Sequence, residues 1–426
     1  MNVQRISGLL IFASFLITII SYIVDGKLSI FAGIFGWIAL ILLIRKASNI
    51  KLLVVLIFLS LSIFSYSLLN NFDVDFKRAI LANQYLLTLL IGVGFLRLIA
   101  TPKYEKVKQL PKGQNSLIKT YWGVHLFGSV INISSLVLVA DKLYKKGKFT
   151  KEQTIVLTRA FSSDAFWSPF FVAFAAASTY APKLSTITIL MAGLTISIVA
   201  FIITFIDVKK NYDIDQFCGY PIQFETLLLP FLLASLVLTT NHLYPNFKVI
   251  VLISFFSIIL TIFILPIKIG IKKSIEQINN HINVDLPKMK NEISLFLIAG
   301  MFGVSVSTVL MGYNIQFPFE HFDAFSGSII LLVIILLSFL GIHPIISIAV
   351  IGNWTMGLNH TFLAAVFLMS WGISVATSPF SGINLTMQAR YDANAVEIFK
   401  LNLSYGIKMY IFCVIILFVL ANYLGL

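Results

Sequence analysis

The chain reads as an all-α polytopic membrane protein, with about 11 transmembrane helices plus two re-entrant hairpins in two inverted repeats. Three observations carry that reading. Of 426 residues, 58% are hydrophobic and 12% charged, roughly half the charged share of a soluble domain. The stretch 341–387 is apolar enough for a bilayer, yet it holds His343-Pro344, Asn353, Asn359-His360, Ser378-Pro379-Phe380 and Asn384. Backbone breakers and hydrogen-bonding side chains survive at membrane depth only where protein or a water-filled cavity surrounds them. The first half echoes this stretch: Gly123-Val124-His125 parallels Gly341-Ile342-His343, and Ser168-Pro169-Phe170 parallels Ser378-Pro379-Phe380. The first copy is the longer one, and its excess falls in the Lys-rich residues 141–153, read as an aqueous loop.

A span needs about 20 apolar residues. Spans are expected at 7–24, 28–44, 52–70, 82–100, 155–180, 184–206, 221–241, 247–267, 293–313, 361–386 and 402–424. The run Ser7–Val24 has no small-residue cleavage pattern after it, so it is a first span rather than a signal peptide. Segments 113–140 and 325–358 are too broken to be single spans and read as hairpins, with tips at His125 and at His343-Pro344. The resulting organisation is an initial span (1–27), a first repeat (28–215) and a second repeat (216–426). Each repeat runs three spans, a hairpin and two spans, the first of that pair broken at 155–180 and at 361–386. The number of crossings per repeat is odd, so the second copy is inverted.

Basic residues test this arrangement independently. With the N-terminus inside, the outer loops hold only Lys27, Lys77, Arg78, Lys183 and Lys248 of the 31 Lys and Arg, as the positive-inside rule requires. The C-terminus then lies outside. The formal charge of +13 belongs to these short inner loops, where it meets anionic lipid rather than nucleic acid. Two inner stretches, 101–119 and 268–292, suit interfacial helices or solvated loops. Cys218 and Cys413 have no disulfide or metal spacing.

Interrupted hydrophobic segments in corresponding positions of two halves point to a transporter's binding site. The second arm of each hairpin, starting near Leu126 and at Pro344, would present free N–H groups and a positive dipole end to an anion. Gly123 and Gly341 allow the reversal, and Pro344 suits a first helical position. His125 and His343 can donate to an oxyanion, carry protons, or tie each tip to neighbouring backbone. Ser168, Ser378 and Asn384 complete the candidate substrate set. The breaks at Pro169 and Pro379 free carbonyls near Asp164–Ala165 and Ser374–Val375. Such carbonyls, with Ser, Thr and Asn oxygens, suit Na⁺ as a coupling ion. Thr377, Ser381, Asn132 and Asn353 are candidates for that role, against the alternative of hydroxyls bonded back to the preceding turn. Asp164 carries most weight among the charges, because intramembrane acids are functional by default. It can ligate a cation, carry a proton, or pair with Arg159. Trp122, Trp167, Trp354 and Trp371 lie near the special segments as pocket walls or packing. Arg390, Asp392 and Lys408 read as topology, solvation and a snorkelling chain.

The organisation resembles the ion transporter superfamily, and within it the divalent anion/sodium symporters. The residues carrying the resemblance are Gly123-Val124-His125, Gly341-Ile342-His343-Pro344, Ser168-Pro169 and Ser378-Pro379. Those symporters carry Ser-Asn-Thr at each tip, which this chain does not. The resemblance implies a moving part made of the hairpins and the last two spans of each repeat, on a scaffold that forms a homodimer. The expected function is a secondary active transporter of a small organic anion, coupled to Na⁺ or H⁺ by alternating access. The alternatives are a Na⁺/H⁺ antiporter centred on Asp164, a polytopic envelope polysaccharide polymerase or ligase, and a channel-like subunit with a soluble partner. The envelope enzyme needs large outer loops, and those near 71–81 and 314–324 are short. No ATP-binding loop or catalytic constellation argues for an enzyme or a cofactor beyond Na⁺. The expected location is the cytoplasmic (inner) membrane of a bacterium.

Overall fold

A computed structural model describes residues 3–24, 26–48, 50–100, 110–144, 148–220, 228–355 and 357–426. Among these residues the chain is helical and contains no strand. Nine helical segments of the described residues are long and apolar enough to cross a membrane: Val3–Ile23, Gly26–Lys46, Ile50–Leu69, Phe76–Ala100, Thr186–Asn211, Val249–Ile269, Lys290–Gly312, His360–Tyr391 and Ala395–Leu424. The span expected at 155–180 is broken, as Pro169 dictates. The span expected from 221 begins on residues outside the described set, as does part of the interfacial stretch expected at 101–119.

In chain order, the helices are α1 (Val3–Ile23), α2 (Ser29–Leu43), α3 (Ile50–Leu69), α4 (Phe76–Leu81), α5 (Gln84–Ala100), α6 (Gln114–Ile131) and α7 (Ile133–Leu143). Next come α8 (Lys151–Ser162), α9 (Val172–Tyr180), α10 (Thr186–Asn211), α11 (Leu228–Leu243), α12 (Val249–Ile269), α13 (Ile271–Asn280) and the short α14 (Leu286–Lys288). The chain ends with α15 (Lys290–Gly312), α16 (Ala324–Phe339), α17 (Pro344–Trp354), α18 (His360–Thr377), α19 (Gly382–Tyr391) and α20 (Ala395–Leu424).

These elements form two compact units. The first comprises Met1–Thr101, Phe231–Pro318 and Ile345–Met356. Polar ties join its apolar helices. Gln84 of α5 donates to Ser14 Oγ (2.7 Å) and Thr18 Oγ1 (2.9 Å) of α1, and Asn83 donates to the Phe296 carbonyl of α15 (2.7 Å). Small residues let backbones approach, as is usual between membrane helices; a Cβ on Gly303 would lie 2.6 Å from the Ala349 carbonyl of α17. In the stretch 268–292, α13 runs into a π-helical turn, His281–Asp285. His281 there packs edge-on against Phe95, with ring centroids 4.7 Å apart.

The second unit comprises Pro102–Pro230, Phe319–Pro344 and Gly357–Leu426. Its centre is the segment His360–Tyr391, of whose most apolar window 94% is buried, against 33% for Thr186–Asn211. Protein surrounds this helix up to Ser378, which is 3% exposed, while Phe380 beyond the break is exposed; burial on the helix side is a condition under which a broken helix is tolerated at membrane depth.

One expected tip is corrected. α6 runs unbroken through Gly123, Val124 and His125, and the chain reverses at Asn132, whose φ is +53°. The apolar stripe of α6 continues past His125, and asparagine accepts positive φ more readily than most residues. At the second expected tip, Gly341 has φ +92° and α17 starts on Pro344, but the two arms expected to form one hairpin fall in different units, α16 in the second and Ile345–Met356 in the first.

Candidate functional site

The second unit contains two related breaks. In the first, Ser168 Oγ donates to the Ser129 carbonyl at the end of α6, 39 residues earlier, and accepts from Phe170 N (3.2 Å). In the second, Ser378 Oγ donates to the Ser338 carbonyl at the end of α16 (2.6 Å), 40 residues earlier, and accepts from Phe380 N (3.2 Å). Each serine thus ties the loop of a broken helix to the last turn before a reversal, where carbonyls lack helical partners. This register pairs Ser129 with Ser338 and Asn132 with Gly341. It also removes the length difference that seemed to fall in 141–153, and it shows that His125 and His343 are not equivalent. His125 corresponds to Ile334, and Asp164 to Ser374.

Asp164 lies in the 3₁₀ turn Ser163–Phe166 that ends α8. Its side chain is fully buried, with His125 Nδ1 2.8 Å from Oδ1. The imidazole does not satisfy it. Trp167 Nε1 donates to His125 Nε2 (3.1 Å), which makes Nε2 the bare nitrogen and leaves the hydrogen on Nδ1. Nδ1 is also 2.8 Å from Ser163 Oγ. That hydroxyl is an available acceptor, since its own hydrogen goes to the Ala160 carbonyl (2.7 Å). The close approach of His125 is therefore an ion-pair distance without hydrogen-bond geometry, and neither carboxylate oxygen has a hydrogen-bond partner among the described residues. On the other side, a Cβ on Gly128 would stand 2.0 Å from Oδ2. Only glycine leaves space for the carboxylate there. An ionised carboxylate buried without a donor is costly, and a proton or a cation removes that cost.

Arg159 does not supply that charge. Five positions along a helix turn a side chain about 140° away, onto another face. Arg159, 2% exposed, bonds instead to Asp207 Oδ2 (2.8 Å), Asn402 Oδ1 (2.8 Å) and the Leu401 carbonyl (3.1 Å). Its guanidinium lies 4.5 Å from the centroid of the Tyr405 ring. Asn402 in turn donates to Thr158 Oγ1 (3.0 Å) and to the Ala376 carbonyl next to the second break (3.1 Å). Lys408, expected to snorkel, holds Asp207 Oδ1 at 2.5 Å. Arg390, expected to be solvated, makes two bonds to Asp141, at 2.8 and 3.1 Å.

Around the second break, Ser338, Gly341, His343, Trp371, Ser374 and Ser378 line a cavity of about 30 Å³, the size of one water or a monatomic ion. His343 packs edge-on against Trp371 at 5.2 Å. Two buried polar atoms near this break, Ser374 Oγ and Asn384 Oδ1, have no hydrogen-bond partner among the described residues. Asn384 Nδ2 donates to the Ser378 carbonyl (2.8 Å).

Six further candidates have these surroundings, Pro344 and Ser381 among the residues lining that cavity. Thr377 Oγ1 is bonded back to the Ile373 carbonyl (2.7 Å), and Ser381 caps α19 by accepting from Asn384 N (3.2 Å). Asn132 donates to the Phe170 carbonyl (3.3 Å). Gly123 is buried within α6, and Pro344 starts α17. Asn353 belongs to the first unit, where it accepts from Arg78 Nη2 (2.6 Å). The structure thus gathers Asp164, His125, Asn132 and Ser168 at one break, and His343, Ser378, Ser381, Asn384 and Gly341 at the other. Sequence reasoning missed Gly128, Ser129, Ser338, the Ser374 hydroxyl and Trp167's bond to His125. The only sequence signal for the register was the near-equal spacing of the tip serines from Ser168 and Ser378. No family model matches the chain, and no curated protein matches it significantly.

Proposed function

We propose that the chain is a secondary active transporter that moves a small organic anion together with a cation, Na⁺ or H⁺, by alternating access. The observation that carries this reading is the buried Asp164 carboxylate, which has no hydrogen-bond donor and sits at one of two repeat-related helix breaks. Breaks of this kind are where transporters hold substrates and coupling ions. On this reading the spans and two hairpins form two inverted repeats of the ion transporter superfamily type. The hairpins and the last two spans of each repeat are the moving part and the remaining spans the scaffold of a homodimer, in the cytoplasmic membrane of a bacterium with the N-terminus inside. A second reading, cation/proton antiport, is favoured by the size of the cavity at Ser374, which suits a monatomic ion better than an organic anion.

The test is thermal stability of the purified protein against a panel of small carboxylates and oxyanions, in Na⁺ or K⁺ buffer at two pH values. A ligand that binds the native state raises apparent stability by mass action. Stabilisation by one anion class, conditional on Na⁺ or pH, is the expected result. A cation or pH response with no anion effect replaces this reading with antiport.

A further inference from the structure

We infer that the cation bound at the first break is a proton, carried by the Asp164 carboxylate, and that His125 is kept neutral there by Trp167. The inference rests on the transporter reading for its purpose, but its geometry stands alone. An imidazole becomes a cation only when both ring nitrogens carry hydrogen. The Trp167 indole N–H points at Nε2 from 3.1 Å, so a hydrogen on Nε2 would face another donor. Nδ1 already holds the ring's one hydrogen. A proton arriving at this cluster therefore has one place to go, the carboxylate 2.8 Å away.

The same contacts leave little room for a metal ion. Oδ1 faces the imidazole and Oδ2 faces the backbone of Gly128 so closely that a methyl group would not fit. A proton needs no coordination shell. The other groups at this turn are His125 and Tyr121 from α6, the latter bonded through its hydroxyl to Ser163 (3.2 Å). Arg159 on α8 turns to Asp207. The neighbouring α7, α10 and α18 bring uncharged residues to the turn: Ser135 beside Gly128, Ser197 on the Ser163 carbonyl (2.9 Å), and Gly372 against Phe166.

Two states follow. With Asp164 protonated, the acid is neutral and the His125 Nδ1–H rests on Ser163 Oγ. When the acid O–H bond breaks, the proton leaves to water, the electron pair stays on the carboxylate, and the Nδ1–H turns from Ser163 to Oδ1. The two acceptors are equidistant at 2.8 Å, so the switch needs a small ring rotation and no backbone movement. His125 is thus a positioning residue, and the charge changes at Asp164 alone.

Infrared difference spectroscopy of the purified protein tests this, with pH steps in Na⁺-free choline buffer. The protonated-carboxyl band at neutral pH should be lost in Asp164→Asn and should be unchanged when NaCl replaces choline chloride at constant pH. Trp167→Phe frees Nε2, so the imidazolium can form, and the band should be lost although Asp164 is still present. Size-exclusion profiles identify any variant that fails to fold, and the wild-type response to Na⁺ needs no variant. The proposal is overturned if Asp164→Asn leaves the band intact, if Na⁺ removes it at constant pH, or if folded Trp167→Phe keeps it. The spectrum requires no transported anion, so failure of the transport reading, visible in the anion panel, is a separate result.

Discussion

Replacing Arg159 with methionine removes a guanidinium buried within the second unit while keeping most of its aliphatic volume. The bond to Asn402 is lost, which strands a buried amide oxygen at about 1–3 kcal/mol. The contact with Tyr405 contributes about 1–2 kcal/mol more. Asp207 is not stranded, because Lys408 holds it at 2.5 Å and its side chain is 15% exposed. The total is about 2–5 kcal/mol. Unfolding in detergent micelles measures the loss, and a double-mutant cycle assigns it. Arg159→Met and Asp207→Asn should couple by about 0.5–3 kcal/mol, whereas Arg159→Met and Asp164→Asn should add within about 0.5 kcal/mol. Strong coupling to Asp164 with none to Asp207 would refute the reasoning and restore the pairing of Arg159 with Asp164.

Two further perturbations have definite signs. Burial, opposed by Asp285, lowers the pKa of His281 to about 4. The unfolded chain, with an ordinary histidine pKa, then takes up a proton on acidification that the folded π-turn does not. Stability is full above about pH 6.5 and falls towards pH 4, by at most about 3 kcal/mol; Asp285 is pushed up by burial but held below the usual range by Lys288, and loses its contribution in the same direction at lower pH. A thermal unfolding series from neutral to acid pH should show this decline, reduced in His281→Gln; an equal slope in that variant would assign the loss elsewhere. Ser168→Ala and Ser378→Ala should each cost about 1 kcal/mol, because each removes a hydroxyl that satisfies a helix-terminal carbonyl. Equal destabilisation supports the repeat register, and a silent Ser168→Ala contradicts it.

Much of the architecture was legible because its signals are periodic and chemical. Runs of about 20 apolar residues marked the spans, and proline marked both breaks before any geometry was known. The interruption before Pro344 was visible for the same reason, since Gly341-Ile342-His343-Pro344 puts a proline where a helix would have to continue. The tip at Asn132 was not, because Gly123-Val124-His125 resembled Gly341-Ile342-His343 in letters while lying on an unbroken helix. Asp164 stood out as an acid in an apolar run. Its true surroundings did not, because Gly128, Trp167 and Ser163 come from two helices whose register only packing decides. The pairing of Arg159 with Asp207 was hidden likewise, 48 residues away along the chain.

The two breaks share their serine ties but not their chemistry, and the difference follows from the register. Where the first copy has Gly128, His125, Asp164 and Trp167, the second has Leu337, Ile334, Ser374 and Thr377. The second copy therefore places a hydroxyl where the first has an acid, and it lacks both the imidazole and the glycine that make space for one. If the carboxylate depends on that glycine, Ser374→Asp alone should fail by overpacking, costing about 1–3 kcal/mol, beyond the desolvation of the new acid. Adding Leu337→Gly should recover part of that loss despite the usual penalty for glycine in a helix, about 1 kcal/mol. Thermal unfolding of the single and double variants decides it. A double variant less stable than both singles would mean that Leu337 does not face residue 374 and that the repeat register is wrong. Recovery would mean that the asymmetry between the copies lies in a few side chains, and that one break per chain is built to hold charge.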